Sequence, residues 1–106
     1  MINYEDFQKL EMKVAKILEA ERVEGSEKLL KLQVDIGDEK RQIVAGIGKK
    51  YNPEDLIDRQ IIILANLEQR KLMGFESQGM LLAADDEDGP TLLMPERKVP
   101  PGSSIR

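Results

Sequence analysis

The sequence contains neither cysteine nor histidine, and these two absences exclude several kinds of site. Without cysteine there are no disulfides, thiolate zinc sites or cysteine nucleophiles. Without histidine there are no imidazole bases, serine–histidine–aspartate triads or histidine-ligated metals. Lysine nucleophiles and carboxylate pairs remain chemically available, but no pattern in the chain points to either. We therefore predict a protein that is not an enzyme and that needs no metal and no cofactor.

Long apolar runs are absent as well. No run is longer than the five residues of 61–65, whereas a membrane-spanning helix needs roughly 18–20 apolar residues. The first ten residues lack the cationic start and apolar centre of a secretory signal. We therefore expect a cytoplasmic protein with no membrane segment. Its 106 residues, 41% of them hydrophobic, suit one folded domain over residues 1–106.

The charges are distributed unevenly along a chain whose net charge is −4. Residues 85–88 form an acidic block that is followed by Gly89-Pro90, a pattern typical of a solvated loop. Between residues 22 and 50, basic residues outnumber acidic ones. The basic ones are Arg22, Lys28, Lys31, Lys40, Arg41, Lys49 and Lys50. An acidic protein can therefore still present one basic face.

Turn-forming residues recur about every ten positions, with short apolar runs between them, which predicts an all-β sandwich or barrel. Strands are predicted at residues 29–36, 42–47, 61–65, 80–84 and 91–94. The first two suit a hairpin because Gly37-Asp38 lies between them, and the third suits a strand buried on both sides. Asn52, as a capping residue, and Pro53 predict the start of a short helix.

The segment from residue 5 to residue 22 supports two interpretations. Its apolar residues at helical spacing are Phe7, Leu10, Val14, Ile17 and Leu18. This spacing and the high helix propensity of the segment favour a helix. Considered beside the strands that follow, residues 12–23 suit the long first strand of a barrel instead.

Three stretches in a fixed order resemble one known family. The first is GSEKLLKL at 25–32 with VDIG at 34–37, and the second is RQIVAGI at 41–47 with Tyr51 and Pro53-Glu54. The third joins ANL at 65–67, RKLMG at 70–74 and ESQGMLLAA at 76–84. Together they resemble the tRNA-binding domain found at the C-terminus of methionyl-tRNA synthetases and as a standalone dimeric protein. The resemblance covers roughly residues 5–106.

The resemblance implies an all-β fold, a five-stranded OB-fold barrel with a short helix near 53–57 and residues 12–23 as its first strand. An N-terminal helical turn (about 3–8) and a C-terminal extension (about 90–106) flank this barrel. The implied partners are tRNA, the methionyl-tRNA synthetase catalytic subunit and a second copy of the chain in a homodimer. Apolar residues expected to bury against that copy are Phe7, Leu92, Leu93 and Val99. The resemblance is compatible both with a standalone protein and with a domain of a synthetase.

Seven residues match family positions implicated in tRNA contact. They are Lys28, Arg41, Asn66, Arg70, Lys71, Ser77 and Met80. The four cations can bind phosphates, the amide and hydroxyl can bind sugar or base edges, and the thioether can touch an unstacked base. Without the family, Lys28 and Arg41 would be interpreted as solvated charges and Met80 as the start of a core strand.

The few aromatic residues limit the way in which RNA can be bound. They are Tyr4, Phe7, Tyr51 and Phe75, too few to stack several single-stranded bases. RNA should therefore be recognised through backbone and shape. The resemblance implies the same, because members of that family read the shape of tRNA and not the anticodon sequence. The predicted function is auxiliary, structure-specific tRNA capture that leaves the chemistry to a synthetase. The alternative is a chaperone-like or protein-interaction module on the same barrel.

Overall fold

A computed structural model describes residues 1–106 as nine strands and two short helical segments. The strands are β1 (Met12–Arg22), β2 (Leu30–Asp35), β3 (Lys40–Ala45), β4 (Gln60–Leu64), β5 (Arg70–Leu72), β6 (Phe75–Ser77), β7 (Met80–Leu81), β8 (Ala83–Asp86) and β9 (Gly89–Leu92). An α-helix, α1, spans Tyr4–Gln8, and a 3-10 helix spans Pro53–Asp55. Neither helical segment has the length and apolar character needed to cross a membrane.

Five strands form an antiparallel sheet in the order β3-β2-β1-β4-β7, and contact between β3 and β7 nearly closes it into a barrel. The long strand β1 allows the sheet to close because its two halves pair with different strands. Residues 12–16 pair with β4, and residues 16–22 pair with β2. The predicted first strand and the all-β, OB-type barrel are therefore confirmed.

A bulge and the burial of adjacent residues together explain why the sequence of β1 looks helical. The register with β2 shifts between Ile17 and Glu19, which leaves Leu18 as an extra residue. Ahead of the bulge, where β1 pairs regularly with β4, the adjacent residues Val14 and Ala15 are both buried, as is Ile17, so the alternation of a half-buried strand is lost there too. Apolar residues at positions 14, 17 and 18 then mimic the spacing of a helix.

The barrel interior holds a cluster of 14 buried apolar residues. In β2, Leu30, Leu32 and Val34 are fully buried while the residues between them are half-buried, as the sequence pattern predicts. In β4, residues 61–63 are all buried. This confirms a strand that is covered on both faces.

The C-terminal extension is joined to the first half of β1 by backbone hydrogen bonds. The amide of Val14 donates to the carbonyl of Ser103 at 2.9 Å, and the amide of Ile105 donates to the carbonyl of Met12 at 2.9 Å. Ahead of β1, Asn3 caps α1 by accepting from the amide of Asp6 at 2.9 Å. An antiparallel bridge joins Lys13 and Ser104, so the C-terminal residues pair with the part of β1 that β2 leaves free.

Three local predictions are corrected by the structure. Asp85 and Asp86 lie in β8, so only Glu87 and Asp88 form the turn of a β8–β9 hairpin. The side chain of Asn52 makes no capping bond to the 3-10 helix. Leu92 is 8% exposed and belongs to the core of its own chain, so it is not available to a partner.

Candidate nucleic-acid interface

Three of the seven predicted contact residues, Lys28, Arg70 and Met80, line one surface cleft of about 280 Å³, here called the Lys28–Arg70 cleft. The other lining residues are Leu29, Val44, Ala45, Gly46, Leu72 and Leu81. Neither Lys28 nor Arg70 forms an ion pair. Two unpaired cations therefore border a mostly apolar surface, an arrangement suited to a ligand with a phosphate and an apolar face.

Lys28 is held in place through its backbone and through a neighbouring glycine. Its amide donates to the hydroxyl oxygen of Ser26 at 3.2 Å, and its carbonyl accepts from the amide of Gly48 at 2.6 Å. The aliphatic part of the side chain lies against Gly46, where an added Cβ would be 2.7 Å from the lysine Cε. The Lys28 side chain therefore occupies the space that the side chain of any larger residue at position 46 would need.

Arg70 is presented by the β5–β6 hairpin. Leu72 pairs with Phe75, and the two residues between them, Met73 and Gly74, have φ angles of 49° and 86°. Two consecutive positive φ values are the mark of a type I′ hairpin turn. Because successive side chains on a strand point to opposite faces, Arg70 reaches the cleft while Lys71 is exposed outside it.

Lys28 and Gly46 also line a second cleft of about 370 Å³. Its charged lining residues are Lys28, Lys49, Lys50, Glu87 and Asp88. No lysine of this cleft forms an ion pair with either carboxylate. The basic surface thus continues from the first cleft toward Lys49 and Lys50, and the acidic hairpin turn borders it.

Arg41 is committed to hydrogen bonds inside the chain. Its Nη1 donates to the carbonyls of Ala65 at 2.6 Å and Gln78 at 3.1 Å. Its Nε and Nη2 donate to the carboxylate of Glu39 at 3.0 and 2.7 Å. The guanidinium therefore connects β3 to the segments that follow β4 and β6.

Asn66 is similarly engaged. Its side-chain nitrogen donates to the carbonyl of Lys9 at 2.7 Å, and its side-chain oxygen accepts from the amide of Glu11 at 2.9 Å. Both ends of the amide thus tie the segment after β4 to the segment between α1 and β1. For Arg41 and Asn66, contact with tRNA stays a prediction, whereas their structural bonds are observed.

Comparison with known proteins places this architecture in one family. Residues 12–104 match the family described as a tRNA binding domain. The chain belongs to the tRNA-binding domain family. It is 57% identical over 104 residues to the methionine–tRNA ligase of Caldanaerobacter subterraneus, which covers 98% of this chain and 16% of the ligase. The methionine–tRNA ligase of Methanococcus aeolicus is 59% identical over 105 residues, again 16% of its length. This tRNA-binding domain thus spans only a small part of the curated relatives that it matches.

Two solved structures are similar over nearly their whole length. The crystal structure of a MetRS-related protein from Pyrococcus horikoshii is 39% identical, with a TM-score of 0.94 and coverage of 100% of this chain and 98% of that one. The chaperone CsaA from Bacillus anthracis is 32% identical, with a TM-score of 0.91 and coverage of 100% and 99%. The same tRNA-binding domain fold therefore occurs in proteins that carry two different functional names.

Ser77 has a buried position in this tRNA-binding domain. It is 3% exposed, its hydroxyl oxygen accepts from the amide of Val44 at 2.9 Å, and the hydroxyl group donates to the carbonyl of Gly79 at 2.9 Å. Next to it, the amide of Gln78 donates to the carbonyl of Gln42 at 2.7 Å. These bonds close the barrel between β3 and the segment joining β6 to β7.

We therefore expect Ser77 to contribute mainly to the stability of the fold. We expect Ser77→Ala to lower the free energy of unfolding by about 1–3 kcal/mol, because the amide of Val44 loses its partner in a buried place. Urea denaturation measures the change, and Ser104→Ala, at an exposed serine, is the control. Unchanged stability together with weaker tRNA binding would instead indicate direct contact.

The sequence interpretation missed the close approach of the Lys28 side chain to Gly46 and left Lys49 and Lys50 outside the candidate site. A signal for the lysines was present, since they follow directly on Gly46-Ile47-Gly48 at the end of β3. The contact at Gly46 has no such signal because it depends on the path of the Lys28 side chain, which lies 18 positions earlier.

Proposed function

We propose that this domain binds folded tRNA and supports a methionyl-tRNA synthetase without taking part in its chemistry. The observation that carries the proposal is the Lys28–Arg70 cleft, in which two unpaired cations border an apolar surface on a member of the tRNA-binding domain family. Lys49, Lys50 and Lys71 supply further exposed charges for phosphates. Such contacts track the backbone and shape of an RNA and give little base specificity.

The relation to the ligases supports an auxiliary role. The chain corresponds to 16% of the length of the methionine–tRNA ligases that it resembles. We therefore propose that aminoacylation in the cytoplasm is performed by the catalytic part of a methionyl-tRNA synthetase and not by this domain. A tRNA-binding module held next to that catalytic part raises the local tRNA concentration and so the apparent affinity.

A gel-shift titration of folded tRNA at about 50 and 200 mM salt, with unstructured RNA as competitor, tests this function directly. We expect salt-sensitive binding that prefers the folded tRNA. Failure to bind folded tRNA at the lower salt would overturn the proposal. A thermal melt of the same preparation would establish that the protein is folded.

A second candidate function is that of a chaperone-like protein-interaction module. It is favoured by the similarity to CsaA and by exposed apolar side chains on the β5–β6 hairpin, Met73 at 56% and Phe75 at 37%. Suppression of the aggregation of an unfolded client protein would support it. Loss of that suppression in Met73→Ser/Phe75→Ser, with tRNA binding unchanged, would separate the two functions.

We also propose that two copies of the chain pair through the terminal extensions. An apolar patch there includes Tyr4 at 71% and Leu10 at 42% exposure, and it shares a groove with Phe7 and Ile105. Exposed apolar surface of this kind is usually covered by a partner. We expect sedimentation at low micromolar concentration to give a dimer and Tyr4→Glu/Leu10→Glu to give a 12 kDa monomer. A monomeric wild type would contradict the pairing.

The acidic β8–β9 turn should weaken binding of any polyanion. Glu87 and Asp88 border the same cleft as Lys49 and Lys50, so their charges oppose an incoming phosphate. We expect Glu87→Gln/Asp88→Asn to strengthen tRNA binding about two- to fivefold at low salt and less at high salt, because exposed charges are screened. Asp38→Asn/Glu96→Gln removes the same charge elsewhere and is the control. Equal effects of the two variants would mean that only net charge matters.

A further inference from the structure

We infer that the Lys28–Arg70 cleft takes one unstacked nucleotide of the bound RNA, with its base on the apolar side chains and a phosphate at the two cations. This inference rests on the proposed tRNA binding and names the part of the RNA that enters the cleft. At about 280 Å³, the cleft lies below the range of about 300–1,000 Å³ usual for drug-sized ligands. A single base with its phosphate matches that scale better than a larger ligand.

The apolar lining of the cleft is suited to the face of a base. Leu29, Leu72 and Leu81 are only partly buried, and Met80 is 41% exposed beside them. An RNA duplex presents mainly phosphates and sugars on its outside, and these would leave the apolar surface without a partner. The face of an unstacked base can cover it, and the polarizable thioether of Met80 adapts to such a surface.

The two cations line the same cleft, so both are available to the phosphate of the nucleotide that enters it. Lys28 precedes β2 and Arg70 begins β5, so two distant parts of the sequence bring positive charge to one cleft. Arg70 can bind two phosphate oxygens at once, and Lys28 supplies a point charge. Beyond Lys28, the second cleft offers Lys49 and Lys50 to the next phosphate along the strand.

Gly46 acts as a positioning residue for this pocket. Its φ lies outside the left-handed region, so its backbone conformation does not demand glycine. The limited space does demand glycine, because a Cβ at position 46 would lie 2.7 Å from the Cε of Lys28. Since the obstructed atom is near the end of a flexible side chain, Gly46→Ala should move the lysine while leaving the fold intact.

The first test is an NMR titration of the full chain with adenosine 5′-monophosphate, with inorganic phosphate and with adenosine. We expect the nucleotide to shift the Met80 methyl and Gly46 amide signals more than either fragment does at equal concentration. We expect Gly46→Ala to weaken this binding without changing the melting temperature by more than a few degrees. Shifts at the Met80 methyl that are no larger with the nucleotide than with phosphate would overturn the inference.

The second test compares two exposed methionines in tRNA binding, Met80 at 41% and Met94 at 56% exposure. Met80→Ala should weaken tRNA binding about tenfold, because the variant loses part of the favourable free energy of burying the methionine side chain against the RNA. The salt dependence of binding should stay unchanged, since no charge is removed. Met94→Ala, which lies outside the cleft, should bind as wild type. Wild-type affinity in Met80→Ala would overturn the nucleotide pocket while leaving tRNA binding established. Absence of tRNA binding in the wild type would overturn both proposals.

Discussion

Replacing both Lys28 and Arg70 with alanine is expected to lower the affinity for folded tRNA by about 30- to 100-fold at ~0.1 M salt. The two cations make no ion pair within the chain. Their removal should therefore weaken tRNA binding without breaking an internal ion pair. Each lost phosphate contact also removes a released counterion. The slope of log affinity against log salt should therefore become shallower by about 1.5. Filter binding over a series of salt concentrations measures both quantities.

A matched pair of residues provides the control for this experiment. Arg97 and Lys98 are exposed, form no ion pair and lie in the C-terminal segment outside both basic clefts. Arg97→Ala/Lys98→Ala removes one arginine and one lysine, as the test variant does. If the two double variants lose the same affinity, the binding depends on overall charge and the cleft has no special role.

Stability should distinguish the cleft residues from the other predicted contact residues. Lys28 and Arg70 are exposed, and their side chains make no hydrogen bond within the chain. Arg41, in contrast, donates to two carbonyls and one carboxylate, and Ser77 is buried at the seam of the barrel. Substitutions at the first pair should therefore change binding at nearly constant stability, whereas substitutions at the second pair should lower stability first.

Most of the fold could be predicted from local patterns. The alternation in β2 and the continuous apolar run of β4 give a strong strand signal because their burial follows the rules for half-covered and fully covered strands. Gly37-Asp38 marks the turn between β2 and β3. The bulge at Leu18 is the kind of feature that periodicity misses, since one extra residue shifts every later side chain to the other face.

The candidate site could be predicted only in part. Residue type and family position pointed to seven side chains, and three of them meet at one cleft. Sequence could not separate these from Arg41, Asn66 and Ser77, because an arginine or serine suited to RNA is equally suited to a backbone carbonyl or amide. The two groups of residues differ in their hydrogen-bond partners, which lie between 24 and 57 positions away in the sequence. Examples are Ala65, which accepts from Arg41, and Lys9, which accepts from Asn66.

The charge distribution is explained by the same long-range placement. The net charge of −4 does not prevent a basic surface, since Lys28, Lys49 and Lys50 come together with Arg70 around two adjoining clefts. The acidic turn at residues 87–88 borders only the second cleft. Binding should therefore be stronger at the first cleft, where no carboxylate lines the surface.

The second large effect is expected at Gly102, where the C-terminal segment crosses the turn after β2. Its φ is +88°, and an added Cβ would lie directly against the carbonyl oxygen of Ile36. Gly102→Ala should lower the free energy of unfolding by about 2–4 kcal/mol, because backbone strain adds to a clash with another backbone segment. The amide of Val14, which donates to the carbonyl of Ser103, should lose its protection from hydrogen exchange.

A control variant at Gly74 separates the effect of the steric clash at Gly102 from the effect of backbone strain. Its φ is +86°, close to that of Gly102, but an added Cβ would meet nothing within 4 Å. Gly74→Ala should therefore cost only the strain of a positive φ, about 1–2 kcal/mol. Gly102→Ala should also shift the sedimentation toward monomer, because Ile105 belongs to the displaced segment and to the apolar patch of the extensions. The Lys28–Arg70 cleft contains no residue of that segment, so tRNA affinity per chain should be retained. Equal destabilisation by the two alanines would show that the glycine contact does not hold the C-terminal segment.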